Sequence, residues 1–234
     1  DGPFERLEEL QVIADGIFVG QGEDGYLFDH SQNNSFLVLN KLLEKGHEVH
    51  WLLDETDTSD LSEGAFYVEQ EGFASESASE MTEGTGVDFL RSSTPKGSTI
   101  QLKKPRIALW DQYGGSMPSG WTRKILEDFE FEFSVVFPQD LANTDLASQF
   151  DVIILEDGAI PNVVTSSEGS RRRGLDPSTI PEEYQDRLGS LTAEKGIPEI
   201  LHFVENGGTV IAIGGSAVLG YYAGLPITNH LLEA

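Results

Sequence analysis

"GGTVIAIGGSAVLGYYAGLP", residues 207–226, joins a glycine turn, an apolar strand, a second turn of small residues and the start of a helix. A strand that passes through a tight turn straight into a helix is the build of a nucleophile elbow, and it belongs to parallel α/β sheets. Where such a turn does chemistry, its tip carries a thiol or a hydroxyl. The aligned position here is Gly214, which has neither.

Working upstream, the same rhythm recurs. "DVIILEDGAIP" (151–161) and "KPRIALWD" (104–111) are continuous apolar runs that end in carboxylates, and "FSVVFP" is a shorter run of the same kind. Strands apolar on both faces, alternating with helical patterns, predict a parallel sheet covered on both sides. The helices are predicted in "GGSMPSGWTRKILEDFEF", with Ser119 as cap and Trp121, Ile125, Leu126 and Phe129 at helical spacing, in "LANTDLASQF" as a short helix or turn, and from Pro198 to Glu205. A further helical segment is expected in "PSTIPEEYQDRLG" and a long exposed loop over 165–178.

The first half is less regular. "GYLFDHS", "HEVHWLL", "GAFYVEQ" and "VDFLRSS" read as strands, and "NNSFLVLNKLLEKG" as a helix with an Asn cap and a Gly stop. The acidic stretch 74–84 reads as a helix or a loop, and the polar, turn-rich stretch 92–105 separates the halves. The expected organisation is a linker over 1–25, an N-terminal α/β lobe over 26–103, and a doubly wound, mostly parallel domain over 104–234 that is cut short at its C-terminal end. The chain opens at Asp1 without a signal-like stretch and stops at "NHLLEA", so it reads as a piece of something longer.

Composition removes several classes of function. Forty acidic residues against fifteen basic ones give a net charge of -25, which repels phosphate backbones and argues against nucleic acid and anionic membrane surfaces as partners. Cysteine is absent, so disulfides, thiolate metal sites and a Cys nucleophile are excluded. No apolar run approaches the roughly 20 residues that a membrane span requires.

Candidate chemistry lies at the strand ends, because open α/β sheets bind ligands beyond the carboxyl ends of their strands. These ends carry Asp111, Gln112 and Tyr113 after one strand, Glu156 and Asp157 after another, and Gly214, Gly215 and Ser216 after a third. If the three strands are neighbours, these residues meet in one binding crevice. Ser216 falls where a helix begins and suits an N-cap better than an attacking group. The histidines offer no metal site on sequence grounds. His47 and His50 stand on opposite faces of a strand, and "HFVE" places His202 and Glu205 at H-x-x-E spacing with only His230 downstream as a third ligand. "GQGEDG" and "IGGSAVLG" lack the lysine and the spacing of phosphate-binding loops.

Taken together, "KPRIALWDQYGGSMPSGWTRKILEDFEFEFSVVFPQDL", "DVIILEDGAIP" and the stretch from "STIPEEYQDRLG" to "YYAGLP" closely resemble the region that follows the catalytic domain in a group of large bacterial zinc carboxypeptidases. The upstream pieces resemble the start of that region more loosely. The resemblance implies a flavodoxin-like, class I glutamine amidotransferase-like domain, with Gly214 standing where active amidotransferases carry Cys. It implies a covalently preceding peptidase domain that holds the zinc, no cofactor in this chain, and an extracytoplasmic address, periplasmic or secreted. None of the peptidase motif positions carries over onto these residues. The expected function is therefore a non-catalytic accessory domain, with a peptide or small-molecule ligand at the strand ends. The alternatives are a Ser216-dependent hydrolase or transferase and a purely structural interaction module.

Overall fold

The computed structural model describes residues 6, 8–54, 61, 64–70, 73, 80–143, 145–161 and 177–228. Residues 74–79 of the acidic stretch 74–84, most of the expected loop 165–178 and His230 lie outside them. The fold is α/β, and its contacts divide it into two units, residues 1–104 with 128–130 and residues 105–127 with 131–234.

In the first unit, β1 (Phe18–Gly20), β2 (Gly25–Phe28), β3 (Val49–Leu52), β4 (Phe66–Glu69), β5 (Phe89–Ser92) and β6 (Thr99–Gln101) form one sheet in the order β1-β5-β2-β4-β3-β6. Only β1 and β5 run parallel; the other four pairings are antiparallel. Helix α1 (Asn33–Glu44) buries Ser35, Val38, Leu39 and Leu42 at a spacing that keeps them on one face. That face meets Phe28, Val49, Phe66, Val68 and Phe89. Leu27, Leu52, Ala65 and Tyr67 form a second cluster, and they come from the alternate positions of the same strands.

The structure departs from the sequence expectations here in three places. β1 lies inside the stretch read as linker, with Phe18 paired to Phe89 and the Ile17 amide donating to Asp88 Oδ1 at 2.9 Å. β6 lies inside the polar separator and pairs with β3. The residue capping α1 is Gln32, without a side-chain bond, and not an asparagine.

In the second unit, β7 (Ile107–Trp110), β8 (Phe133–Val136), β9 (Val152–Leu155) and β10 (Thr209–Ala212) form a separate sheet in the order β8-β7-β9-β10, parallel throughout. Helix α2 (Met117–Asp128) links β7 to β8, and its Leu126 packs with Ile107, Leu109 and Ile154. α3 (Pro138–Asn143) and α4 (Leu146–Gln149) precede β9, and α5 (Ile197–Glu205) precedes β10. Their Leu141, Leu146, Ile200 and Phe203 cluster with Ala108, Trp110, Ile153 and Leu155. β7 and β9 are thus buried by different neighbours on their two faces, which is why they show no alternation, whereas β8 and β10 are partly exposed.

Ser119 is not the cap of α2. The helix begins two residues earlier, where Ser116 Oγ accepts the Ser119 amide at 3.2 Å and Pro118 fits the first turn without needing a donor. The helical segment expected before α5 is present only as the 3₁₀ turns Pro177–Thr179 and Glu182–Arg187. α5 starts after Gly196, whose amide donates to Glu199 Oε2 at 2.7 Å.

Arg106, just before β7, donates to both carboxylate oxygens of Asp151, just before β9, and to the carbonyl of Ser148. Hydrogen bonds from the Arg106 side chain, then from its amide, hold the Asp151 carboxyl down at about 2. A carboxyl lowered on folding from about 3.9 adds stability that is complete above pH ~4 and vanishes as pH falls through the folded value. Both partners are about half exposed, so solvent screens the pair and its contribution is small. The expected result is that Asp151→Asn lowers the urea midpoint at pH 7 and that its gap from wild type closes towards pH 2.

Candidate functional site

β7, β9 and β10 are neighbours and parallel, so their carboxyl ends lie side by side on one edge of the sheet. Asp111 follows β7, Glu156 and Asp157 follow β9, and Gly214 to Ser216 follow β10 at one remove. The sheet brings these ends together; what the side chains do there depends on their partners.

Asp111 and Glu156 are both buried. Asp111 Oδ1 accepts its neighbour's amide, that of Gln112, at 2.8 Å, and Oδ2 accepts from Arg123 Nη2 at 3.4 Å. Glu156 Oε1 accepts from Thr122 Oγ1. Thr122 and Arg123 are consecutive residues of α2, so the two carboxylates anchor that helix over the sheet. Neither faces open solvent as a free acid. Gln112 Nε2 donates to Gly115 O at 3.1 Å, and the Tyr113 ring lies 6.1 Å from that of Tyr184. Beyond them, Gly114, Gly115, Ser116, Met117, Gly120, Trp121 and Lys124 line a groove of about 560 Å³.

The turn after β10 explains its glycines. Ile213 is extended, Gly214 has φ +59, and a 3₁₀ turn over Gly214–Val218 leads into the short helix α6 (Leu219–Tyr222). That positive φ favours glycine over any residue with a Cβ. A Cβ on Gly214 would also lie 2.9 Å from Asp157 Oδ1 and 3.0 Å from Asp157 Cβ. The same Oδ1 accepts the Gly215 amide at 2.7 Å. In a working elbow the amide after the tip is a donor for the developing oxyanion. Here that donor is bound to the protein's own carboxylate.

Ser216 is neither an N-cap nor an exposed nucleophile. It is fully buried, donating from Oγ to Glu156 O at 2.5 Å and accepting the Ile160 amide at 3.3 Å, so its hydroxyl ties the turn after β10 to the exit of β9. Ser216→Ala removes both bonds at a buried site and is expected to cost about 1–3 kcal/mol in urea unfolding.

The described histidines are dispersed. The His47 ring meets the edge of Phe73 at 5.4 Å, and His50 Nδ1 lies 3.4 Å from Thr99 Oγ1. His202 and Glu205 approach to 3.7 Å on an open helix surface, each side chain about three-quarters exposed. Among the described residues, Glu48, His50 and Glu69 on β3, β4 and the residue before β3 bring three donor atoms within 4.8 Å. The cross-strand register that joins them was not legible in the sequence.

Thr122 and Arg123 were also missed. The only trace of them is that Ser119, Thr122 and Leu126 fall at i, i+3 and i+7, so polar groups share the inward stripe of α2. No helix among the described residues is long and apolar enough to cross a membrane. No family model matches the chain, and no curated protein or solved structure is found to be similar to it.

Proposed function

We propose that this chain is a catalytically silent accessory module of class I glutamine amidotransferase-like build, joined in its parent protein to a zinc carboxypeptidase domain and placed outside the cytoplasm. Numbered in chain order, the second sheet runs 2-1-3-4, which is the start of the flavodoxin-like order 2-1-3-4-5. That order, the strand–turn–helix at Gly214 and the sequence resemblance support the doubly wound reading. The observation that carries the silence is the Asp157 carboxylate, which takes the Gly215 amide and fills the space at Gly214. Gln112, Tyr113, Asp157, Gly214 and Gly215, with Asp111, Glu156 and Ser216 behind them, form the edge at which a peptide or small molecule would be held. The Ser-dependent alternative loses support because the Ser216 hydroxyl is buried against two backbone groups.

The test has two arms. The purified chain is assayed for zinc by elemental analysis, for glutamine hydrolysis, and for release of C-terminal amino acids from a peptide mixture with and without chelator. The expected result is no stoichiometric zinc and no turnover; chelator-sensitive release would contradict the reading. In the second arm, a zinc carboxypeptidase domain of the resembling group is supplied separately and should co-elute with the chain, whereas separate elution overturns the accessory role.

A further inference from the structure

The face of the first sheet turned away from α1 gathers a set of donor groups. β3 and β4 pair with His50 opposite Tyr67 and Val49 opposite Val68, so the next pair in the ladder is Glu48 and Glu69. Directly opposite residues share a face, and alternation along β3 puts His50 on the face of Glu48. Glu48, His50 and Glu69 each offer one donor atom, all within 4.8 Å of one another, with the glutamates exposed and the histidine half-buried. Two further observations suit a cation among them. Like charges directly opposite on a sheet are destabilising, yet here two stand together in a chain of net charge -25. Among the described residues neither glutamate is ion-paired, and Lys103, which the continuing β3–β6 ladder brings to this end of β3, makes no salt bridge to them. The second observation is Tyr67, which is 2% exposed. Its hydroxyl is buried and has no partner in good hydrogen-bond geometry, the Thr94 side chain lying near it but outside such geometry. A Cβ on Gly25 would fall 2.6 Å from Tyr67 Oη, and Gly25 is the partner of Glu69 across the β2–β4 ladder. The phenol thus fills the side-chain place next to Glu69 and leaves a buried donor at the edge of the group.

The donor set selects the ion. Two carboxylates with one imidazole suit a divalent first-row transition metal, whereas magnesium and calcium take oxygen ligands. His50 Nδ1 lies 3.4 Å from Thr99 Oγ1, and a ligating histidine commonly has its second ring nitrogen held by such a polar group. We propose that Glu48, His50 and Glu69 form a binding site for a divalent transition-metal ion of the zinc class, with the Tyr67 hydroxyl beside it. Three side chains on an open strand surface hold such an ion exchangeably, with water in its remaining positions, so it leaves during purification and has to be added back. This inference rests on the first unit alone and does not depend on the accessory role.

The test is calorimetric titration of the chelator-treated full chain with zinc chloride and, separately, with magnesium chloride in low-salt buffer. Zinc is expected to bind saturably at one site, and magnesium at least about tenfold more weakly. Glu48→Gln, His50→Gln and Glu69→Gln should each weaken zinc binding at least about tenfold. His202→Gln, which removes the histidine beside Glu205, should leave it unchanged. Urea unfolding supplies a readout that a merely structural glutamate would not move. With chelator present, Glu48→Gln should raise the midpoint, because the like-charge pair is gone; with zinc added it should fall below wild type, because the ion stabilises the wild-type chain more. No saturable zinc binding, equal affinity for zinc and magnesium, zinc affinity unaffected by any one of the three glutamine substitutions, or midpoints that keep the same order with and without zinc would each overturn the proposal.

Discussion

Gly214→Ser is expected to lower stability by about 2–4 kcal/mol and to produce no hydrolase. A non-glycine residue in left-handed backbone costs about 1–2 kcal/mol. The new Cβ also meets Asp157 at 2.9–3.0 Å, so the carboxylate has to move away from the Gly215 amide it now holds at 2.7 Å. Losing that charge-assisted bond accounts for the remainder. Urea unfolding of Gly214→Ser, Asp157→Ala and the double variant measures the coupling directly. The double variant should cost less than the two single changes together, because the bond to the Gly215 amide can be lost only once and the contacts with Oδ1 and Cγ of Asp157 go with the carboxylate, while that with its Cβ stays. Strict additivity would mean that Asp157 does not constrain the turn. The hydroxyl gained at 214 is inert on this account, since the substitution brings no general base with it.

Phe203→Ala is expected to have the largest effect of any single truncation considered, about 3–5 kcal/mol. Phe203 is almost wholly buried on α5, in the cluster that holds Ile153, Leu155 and Ile200. Its ring lies so close to Gly208 that a Cβ there would fall 2.3 Å from the ring, so the glycine turn before β10 and this ring are fitted to each other. The adjacent Val204 is 43% exposed, and Val204→Ala should cost no more than about 0.5 kcal/mol. Similar losses for the two variants would place α5 in a different rotation on the sheet.

The contrast between these two residues shows what the sequence carries and where it stops. "ILHFVE" is apolar at Ile200, Leu201, Phe203 and Val204, yet only Ile200 and Phe203 are buried. Which side of so short a helix turns inward is decided by the sheet beneath it. The parallel sheet itself was legible, because "IALW" and "VIIL" are apolar on both faces and alternate with helical stretches, the pattern of strands joined by crossovers. β1 and β6 were not: each has three residues, largely exposed, so neither leaves an apolar alternation. The antiparallel build of the first sheet was hidden too, since strand direction is set by connections and not by residue pattern.

At the site, carboxylates following apolar strands marked the edge where the three ends meet. Their tasks were not visible, because Asp111 and Glu156 are held by Arg123 and Thr122 from a separate element. Ser216 shows the same limit. Its place after a turn suggests a local cap, whereas a tertiary bond to Glu156 O, fixed only when β9 and β10 pair, has claimed the hydroxyl. Gly214 was legible as an absence of chemistry, and the structure adds the reason for it in Asp157.

The measurement that bears most directly on the closed turn is the amide proton resonance of Gly215 in wild type and in Asp157→Ala. If Asp157 holds that amide, the wild-type proton lies downfield and exchanges slowly, and the substitution moves it upfield and speeds its exchange while resonances of the β7 and β9 core stay in place. A Gly215 amide with the same shift and exchange rate in both proteins would mean that the donor is free, and the turn would have to be reconsidered as an open site.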